Sequence, residues 1–323
     1  MLAVLAVAGL ASLLVKLISS GADGEPEAVE ALAPVRLPDP IEAEPEPEER
    51  PFALGATQNT AQITGDEYPS EFIVFADAES GEILAERNSD RRMYPASMTK
   101  VLTLLVAAEH MPDKTGTFTM TREAADYCYV NKCSVVGYEV GEQIPVIELF
   151  YGCILCSGAD ACLGLAECSA GSHEAFTVWM NEKLEELGLS ETTRFTNCVG
   201  IYDDEHYTTA RDMAAILRAA MQDEFCRTVL TTPIYMSEPT PEHPEGQVLS
   251  NWFLRRVETQ DSGGVTVLGG KKGYVTQSGN CAASCGTDEA GHTYLCVTGK
   301  GGTEWQVVRQ HAALFRQYAY QQL

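Results

Sequence analysis

Ser97 and Lys100, in the stretch YPASMTK, are the residues whose types and spacing first offer chemistry. At positions i and i+3 of a helix two side chains rise from one face a turn apart, so the hydroxyl and the amine come within reach of each other. A serine hydroxyl is a weak nucleophile until a base removes its proton. A lysine serves as that base only when burial or neighbouring positive charge lowers its pKa. The N-terminus of a helix adds a partial positive potential, which favours a neutral amine and a developing oxyanion alike. Ser-x-x-Lys alone is a weak signal, yet no other lysine in the chain has a serine three residues ahead of it. Two further groups follow in order, Ser157-Gly158-Ala159 and Lys271-Lys272-Gly273.

The elements that must position these residues read as one α/β unit from about residue 67 onward. In EFIVFADAESGEILAERNSD two apolar runs flank a Glu-Ser-Gly turn, which predicts a β-hairpin. Pro95 suits a first helical turn, Val101, Leu104, Leu105 and Ala108 repeat at helical spacing, and Pro112 stops the run. VIELFYGCILC and ACLGLAEC predict two helices interrupted by SGAD, and EAFTVWMNEKLEELGL a third that ends at a glycine. Strand-like pieces return in GGVTVLGGKKGYV and GNCAASCGTDEAGHTYLCVTGK, before a closing helix, EWQVVRQHAALFRQYAYQQL. Strand-rich ends around a helical middle predict an antiparallel sheet whose first and last strands meet.

With 323 residues, 45% of them hydrophobic, the chain has enough apolar surface for one large core or two modest ones. A formal net charge of −24 excludes a nucleic-acid partner, which needs a basic surface to displace phosphate counterions. Part of the charge sits in residues 23–50, rich in Glu, Pro, Ala and Asp, which cannot bury enough apolar surface to order themselves. We read residues 23–66 as an acidic, Pro-rich disordered linker, with a reach of at most on the order of 100 Å. Ahead of it, residues 1–22 carry an apolar run that fits either a signal peptide or an N-terminal membrane anchor. Both readings imply export, and residues 67–323 then form the folded domain.

Ser97-x-x-Lys100, Ser157-x-Ala159 and Lys271-Lys272-Gly273 resemble the three-part signature S-x-x-K, S-x-N and K-T-G of penicillin-recognising serine enzymes. Their flanks, AESGEILAERNSDRRMYPASMTK, LFYGCILCSGADACLGLAE, FTNCVGIYDDEHYTTARDMAAIL and GGKKGYVTQSGNCAAS, are similar to segments of the D-alanyl-D-alanine carboxypeptidases, the low-molecular-mass penicillin-binding proteins. The resemblance covers roughly residues 68–323. It implies an α+β, β-lactamase/transpeptidase-like fold, with a central antiparallel sheet flanked by helices and a helical lobe. It further implies Ser97 as the acylated nucleophile, Lys100 as its base and Ser157 as a relay of protons to the leaving amine. Lys271 would keep Lys100 neutral and steer substrate, and the backbone N–H groups of Ser97 and Tyr274 would form the oxyanion hole. The strand around Lys271 would pair with the peptide, placing Lys272, Gly273, Tyr274 and Ala159 at the substrate. The implied partners are the peptidoglycan stem peptide and β-lactam antibiotics, with membrane association through the N-terminal segment and no cofactor or metal.

The chain departs from the family pattern at two places: Ala159 replaces the S-x-N asparagine and Lys272 the K-T-G threonine. An ammonium at Lys272 offers a charge for the substrate's terminal carboxylate where the family uses a hydroxyl. Two alternatives to a carboxypeptidase stay open: a catalytically weak wall-peptide-binding or β-lactam-sensing homologue, and a β-lactamase. The last would need a glutamate to activate the deacylating water, and residues 195–212 offer no such motif.

Of the eleven cysteines, Cys153, Cys156, Cys162 and Cys168 cluster near Ser157. Cys153-x-x-Cys156 has zinc-like spacing, but no histidine or second Cys-x-x-Cys completes a site, so buried thiols acting as small apolar groups are expected. Cys128 and Cys133 are placed to close a short loop, and Cys281, Cys285 and Cys296 pair only if strand register allows. His206 is read as a structural loop residue, Asp160 as a carboxylate that ties down its own loop, and Asp203, Asp204 and Glu205 as a solvated turn.

Overall fold

A computed structural model describes residues 52–319. The N-terminal apolar segment and most of the acidic linker lie outside them. Along the chain the first elements are β1 (Gly55–Gln62), β2 (Phe72–Asp77), β3 (Glu82–Arg87), α1 (Lys100–His110), β4 (Thr117–Thr119) and α2 (Arg122–Val130). The helical middle follows with β5 (Gln143–Pro145), α3 (Val146–Leu155), α4 (Ala159–Ala170), α5 (His173–Glu186), α6 (Ala210–Gln222) and α7 (Glu224–Thr231). The chain closes through β6 (Ile234–Met236), β7 (Val248–Ser250), α8 (Leu254–Val257), β8 (Thr266–Val275), β9 (Gly279–Thr287), β10 (Thr293–Gly301) and α9 (Glu304–Tyr318).

Six strands form one sheet in the order β1-β3-β2-β10-β9-β8. The expected hairpin is β2–β3, and β10 pairs antiparallel with β2, so the first and last parts of the domain meet as their strand patterns required. All six residues of β2 are buried. Its apolar run, Phe72 to Ala76, needs cover on both faces. Alternation supplies it: Val74 and Val297 point into the core shared with α1, α3, α4 and α6, whereas Phe75 and Cys296 join Val308 and Phe315 of α9.

Two expectations are corrected. The sheet is mixed, because β1 pairs parallel with β3. The ordered domain also begins before residue 67, since β1 falls within the stretch read as linker. Nearly every residue of β1 is exposed, so no apolar period marks it; its backbone pairing with the β3 edge makes it a strand.

The helical lobe is anchored by side-chain caps. Thr121, Ser172, Thr209 and Asp223 each accept a hydrogen bond from the first turn of α2, α5, α6 and α7 respectively. α3 is apolar almost all round and is buried accordingly. With α4 it forms a helical hairpin whose connection carries Ser157 to the edge of β8.

Candidate active site

Ser97 lies in a short 3-10 turn, Ala96–Thr99, that leads into α1, rather than in the α-helix itself. Ala96 holds a left-handed φ of 47°, a strained conformation for a residue with a side chain. Two glycines let neighbouring backbone close on this turn. A Cβ on Gly200 would lie 2.0 Å from the Ala96 carbonyl oxygen, and one on Gly273 would lie 2.8 Å from the Ser97 nitrogen. Gly200 also adopts φ of 81°, which only glycine takes without cost. From below, Thr99 Oγ1 donates to the Ala96 carbonyl and accepts from His206 Nε2, 2.8 Å away. That direction follows because His206 Nδ1 accepts from the Thr196 amide at 3.0 Å, leaving the proton on Nε2. Burial, with the charge of Lys100 adding to it, pushes His206 down to about 3, so the ring is neutral, and it stacks on Phe195.

Lys100 opens α1 and is buried, with Nζ 3.2 Å from Ser97 Oγ and a second hydrogen bond to the Val199 carbonyl. Asn197 shapes the loop that presents this carbonyl, its Oδ1 accepting from the amides of Val199, Gly200 and Ile201. Thr103 Oγ1 fastens the same loop by donating to the Cys198 carbonyl at 2.7 Å.

Ser157 sits between α3 and α4 with φ of 58°, a second strained position at the site. Its Oγ accepts from Lys271 Nζ at 2.8 Å, and that amine also reaches the Lys272 carbonyl at 2.8 Å. Lys271 is buried, and desolvation, with the charge of Lys100 adding to it, pulls it down to about 7. Behind Ser157, Asp160 accepts from the amides of Val136, Gly137 and Ala161. It chiefly ties down the loop ahead of Tyr138 rather than its own, where it meets only the Ala161 amide.

The structure thus brings Ser97, Lys100, Ser157 and Lys271 together as two hydrogen-bonded hydroxyl–amine pairs. Gly273 belongs with them through its approach to Ser97, and the exposed Tyr274 follows on the same edge strand. Lys272 departs from the group. Adjacent residues of a strand face opposite sides, so its side chain runs over the far face of the sheet. There its amine pairs with Glu304 and lies 4.4 Å from the ring centre of Trp252. Ala159 is buried, its amide bound to the Ser134 carbonyl at 2.8 Å, and presents no polar side chain to the groove. His206 supports the Ser97 turn structurally. The support given by Asn197, Gly200 and Thr99 was not read from the sequence; the Asn-x-x-Gly spacing of 197–200 was the available signal.

Residues 57–300 match the D-alanyl-D-alanine carboxypeptidase family. The D-alanyl-D-alanine carboxypeptidase DacA of Escherichia coli (strain K12) is 37% identical over 162 residues, which is 48% of this chain and 40% of the relative. DacF of Bacillus subtilis (strain 168) is 33% identical over 175 residues, 54% of this chain and 43% of the relative. The matched stretch therefore spans about two fifths of the length of these curated relatives. Among solved structures, a point mutant of the Streptomyces K15 DD-transpeptidase superposes with a TM-score of 0.71 at 24% identity, over 79% of this chain and 98% of the other. That likeness establishes the shared fold. On its motifs and the family match over most of its length, the chain belongs to the D-alanyl-D-alanine carboxypeptidase family.

Proposed function

We propose that the chain is a serine-type D-alanyl-D-alanine carboxypeptidase that removes the terminal D-alanine of peptidoglycan stem peptides and is acylated by penicillin at the same serine. The observation that carries this reading is the convergence of the Ser97–Lys100 and Ser157–Lys271 pairs beside the β8 edge of the sheet. A peptide added along β8 would lie across Ser97, with backbone pairing holding it in register. Lys271 gives up its proton near neutrality, which removes a positive charge from beside Lys100. Lys100 takes the Ser97 proton as Oγ attacks the carbonyl of the penultimate residue. The amides of Ser97 and Tyr274 would receive the oxyanion. Ser157 Oγ–H delivers a proton to the leaving amine and regains the one that Lys100 took. Water then releases the acyl group.

Action on the wall places the domain outside the cytoplasm. Residues 1–22 would export or anchor it, and the acidic linker would set its reach. Ala159 and the withdrawn Lys272 favour one second reading, in which acylation is retained and turnover is slow. The test is release of D-alanine from a peptide ending in D-Ala-D-Ala, with Ser97→Ala beside it. Multiple turnovers abolished in the variant support a carboxypeptidase, and acylation without turnover supports the second reading.

A further inference from the structure

The strained Ser157 connection is bracketed by two cysteines that the proposed catalytic steps do not use. Cys153, near the end of α3, and Cys162, in the first half of α4, bring their sulfur atoms to 3.2 Å. Both are fully buried. Cys162 Sγ also lies 3.0 Å from the Gly158 carbonyl, within the connection itself, and Cys153 Sγ lies 3.9 Å from the Lys100 carbonyl. An S–S bond of about 2.04 Å requires the two sulfur atoms to approach by about 1.2 Å more.

We propose that Cys153 and Cys162 form a disulfide in the exported protein, a staple closing a short ring that holds Ser157 near its centre. This rests on the reading that the domain works outside the cytoplasm, where disulfides persist. In the step, two thiols become one S–S bond, and their two electrons and two protons pass to a small-molecule or protein disulfide, which is reduced to two thiols.

Three features give the staple a purpose. Ser157 holds a left-handed φ that persists only where the surroundings over-determine it. Gly158 is packed so tightly that a Cβ would meet Val136 at 2.6 Å, so the connection has no slack. The Ser157 Oγ to Lys271 Nζ contact bridges the helical hairpin and the edge strand, and loosening of the hairpin lengthens it. The other cysteine pairs do not bracket Ser157. Cys285 and Cys296, on adjacent strands, face opposite sides of the sheet. Cys128 and Cys133, at the end of α2, also lie within hydrogen-bonding reach of each other, but they enclose only the last turn of that helix. Burial pushes the Cys162 thiol well up, so the folded dithiol exchanges slowly and the bond forms while the chain folds.

The experiment takes the full chain, unfolds and reduces it, and refolds it in a mixture of reduced and oxidised glutathione. Remaining thiols are then alkylated in denaturant and the peptides weighed. A Cys153–Cys162 linked segment, unalkylated and lighter by two hydrogens than its reduced form, is expected. The refolded protein should melt about 5–10 °C above its fully reduced counterpart, the scale of a loop of about ten residues. Cys162→Ser should abolish this redox-dependent difference while still folding. Quantitative alkylation of both cysteines in refolded protein, or their pairing only with other cysteines, would overturn the proposal. The mass readout is independent of turnover, so failure of the carboxypeptidase reading leaves it intact, and the converse holds.

Discussion

Gly273→Ala is the sharpest single perturbation of the site, because it tests the fit of the edge strand against the Ser97 turn. The added methyl would lie 2.8 Å from the Ser97 nitrogen, 2.9 Å from Cys281 Sγ and 3.0 Å from the Pro95 carbonyl oxygen. Two of those neighbours are backbone atoms of the turn, which α1 and Gly200 hold in place, so β8 must retreat. Overpacking of this kind costs about 1–3 kcal/mol. At about 2–4 °C per kcal/mol, the melting temperature falls by roughly 2–12 °C. The effect on chemistry should be larger in proportion. A strand displaced by about 1 Å misplaces the Tyr274 amide and the docked substrate, and misplacement on that scale costs about a hundredfold in rate. The assay is the second-order rate of acylation by a fluorescent penicillin, followed by intact mass, beside a thermal melt. Gly55→Ala is the control, because nothing lies within 4 Å of the added carbon there. Acylation by folded Gly273→Ala within about twofold of the parent rate would refute the packing argument.

Other outcomes follow from the same geometry. Acylation should rise with pH through about 7, where Lys271 loses its proton, and a profile flat from pH 6 to 9 would contradict the role given to the pair. Because its folded pKa lies below the unfolded value of about 10.4, the unfolded chain binds more protons between the two, so this lysine makes stability rise with pH across that window. His206 and His311 are both pushed to about 3 by burial, so below about 6.5 the unfolded chain takes protons the folded one refuses. Stability should fall on acidification by up to about 1.4 kcal/mol per pH unit for each, and His311→Asn should flatten the slope measured by urea unfolding. Lys272→Ala should reduce turnover of a free-acid peptide and of its C-terminal amide equally, because the amine is paired with Glu304. Selective loss on the free acid would place Lys272 on the substrate carboxylate.

Much of this arrangement was legible before any coordinates. The β2–β3 hairpin, the α3–α4 pair around Ser157 and the return of β8 to β10 follow from alternation, helical spacing and turn residues. Local chemistry dictates these directly. The position of Lys272 is also legible, since a period of two along β8 sends it opposite Lys271, whereas the three-residue motif specifies residue type and not facing. β1 left no such trace: its sequence, GATQNTAQ, is polar and exposed, and its place comes from hydrogen bonding to β3. The turn at Ala96–Thr99 was read as the start of an α-helix because the strain at Ala96 is imposed by tertiary contacts from Gly200 and Gly273. The 3.2 Å approach of Cys153 and Cys162 likewise depends on how two helices pack, which their spacing of nine along the chain does not specify.

The central claim is that Ser97 is an activated nucleophile despite Ala159 and Lys272. Its most direct test is intact mass after incubation of the full chain with benzylpenicillin, with Ser97→Ala in parallel and both shown to be folded. A single penicilloyl adduct on the parent and none on the variant is the predicted result. Absence of an adduct on the folded parent, or an equal adduct on Ser97→Ala, would contradict it.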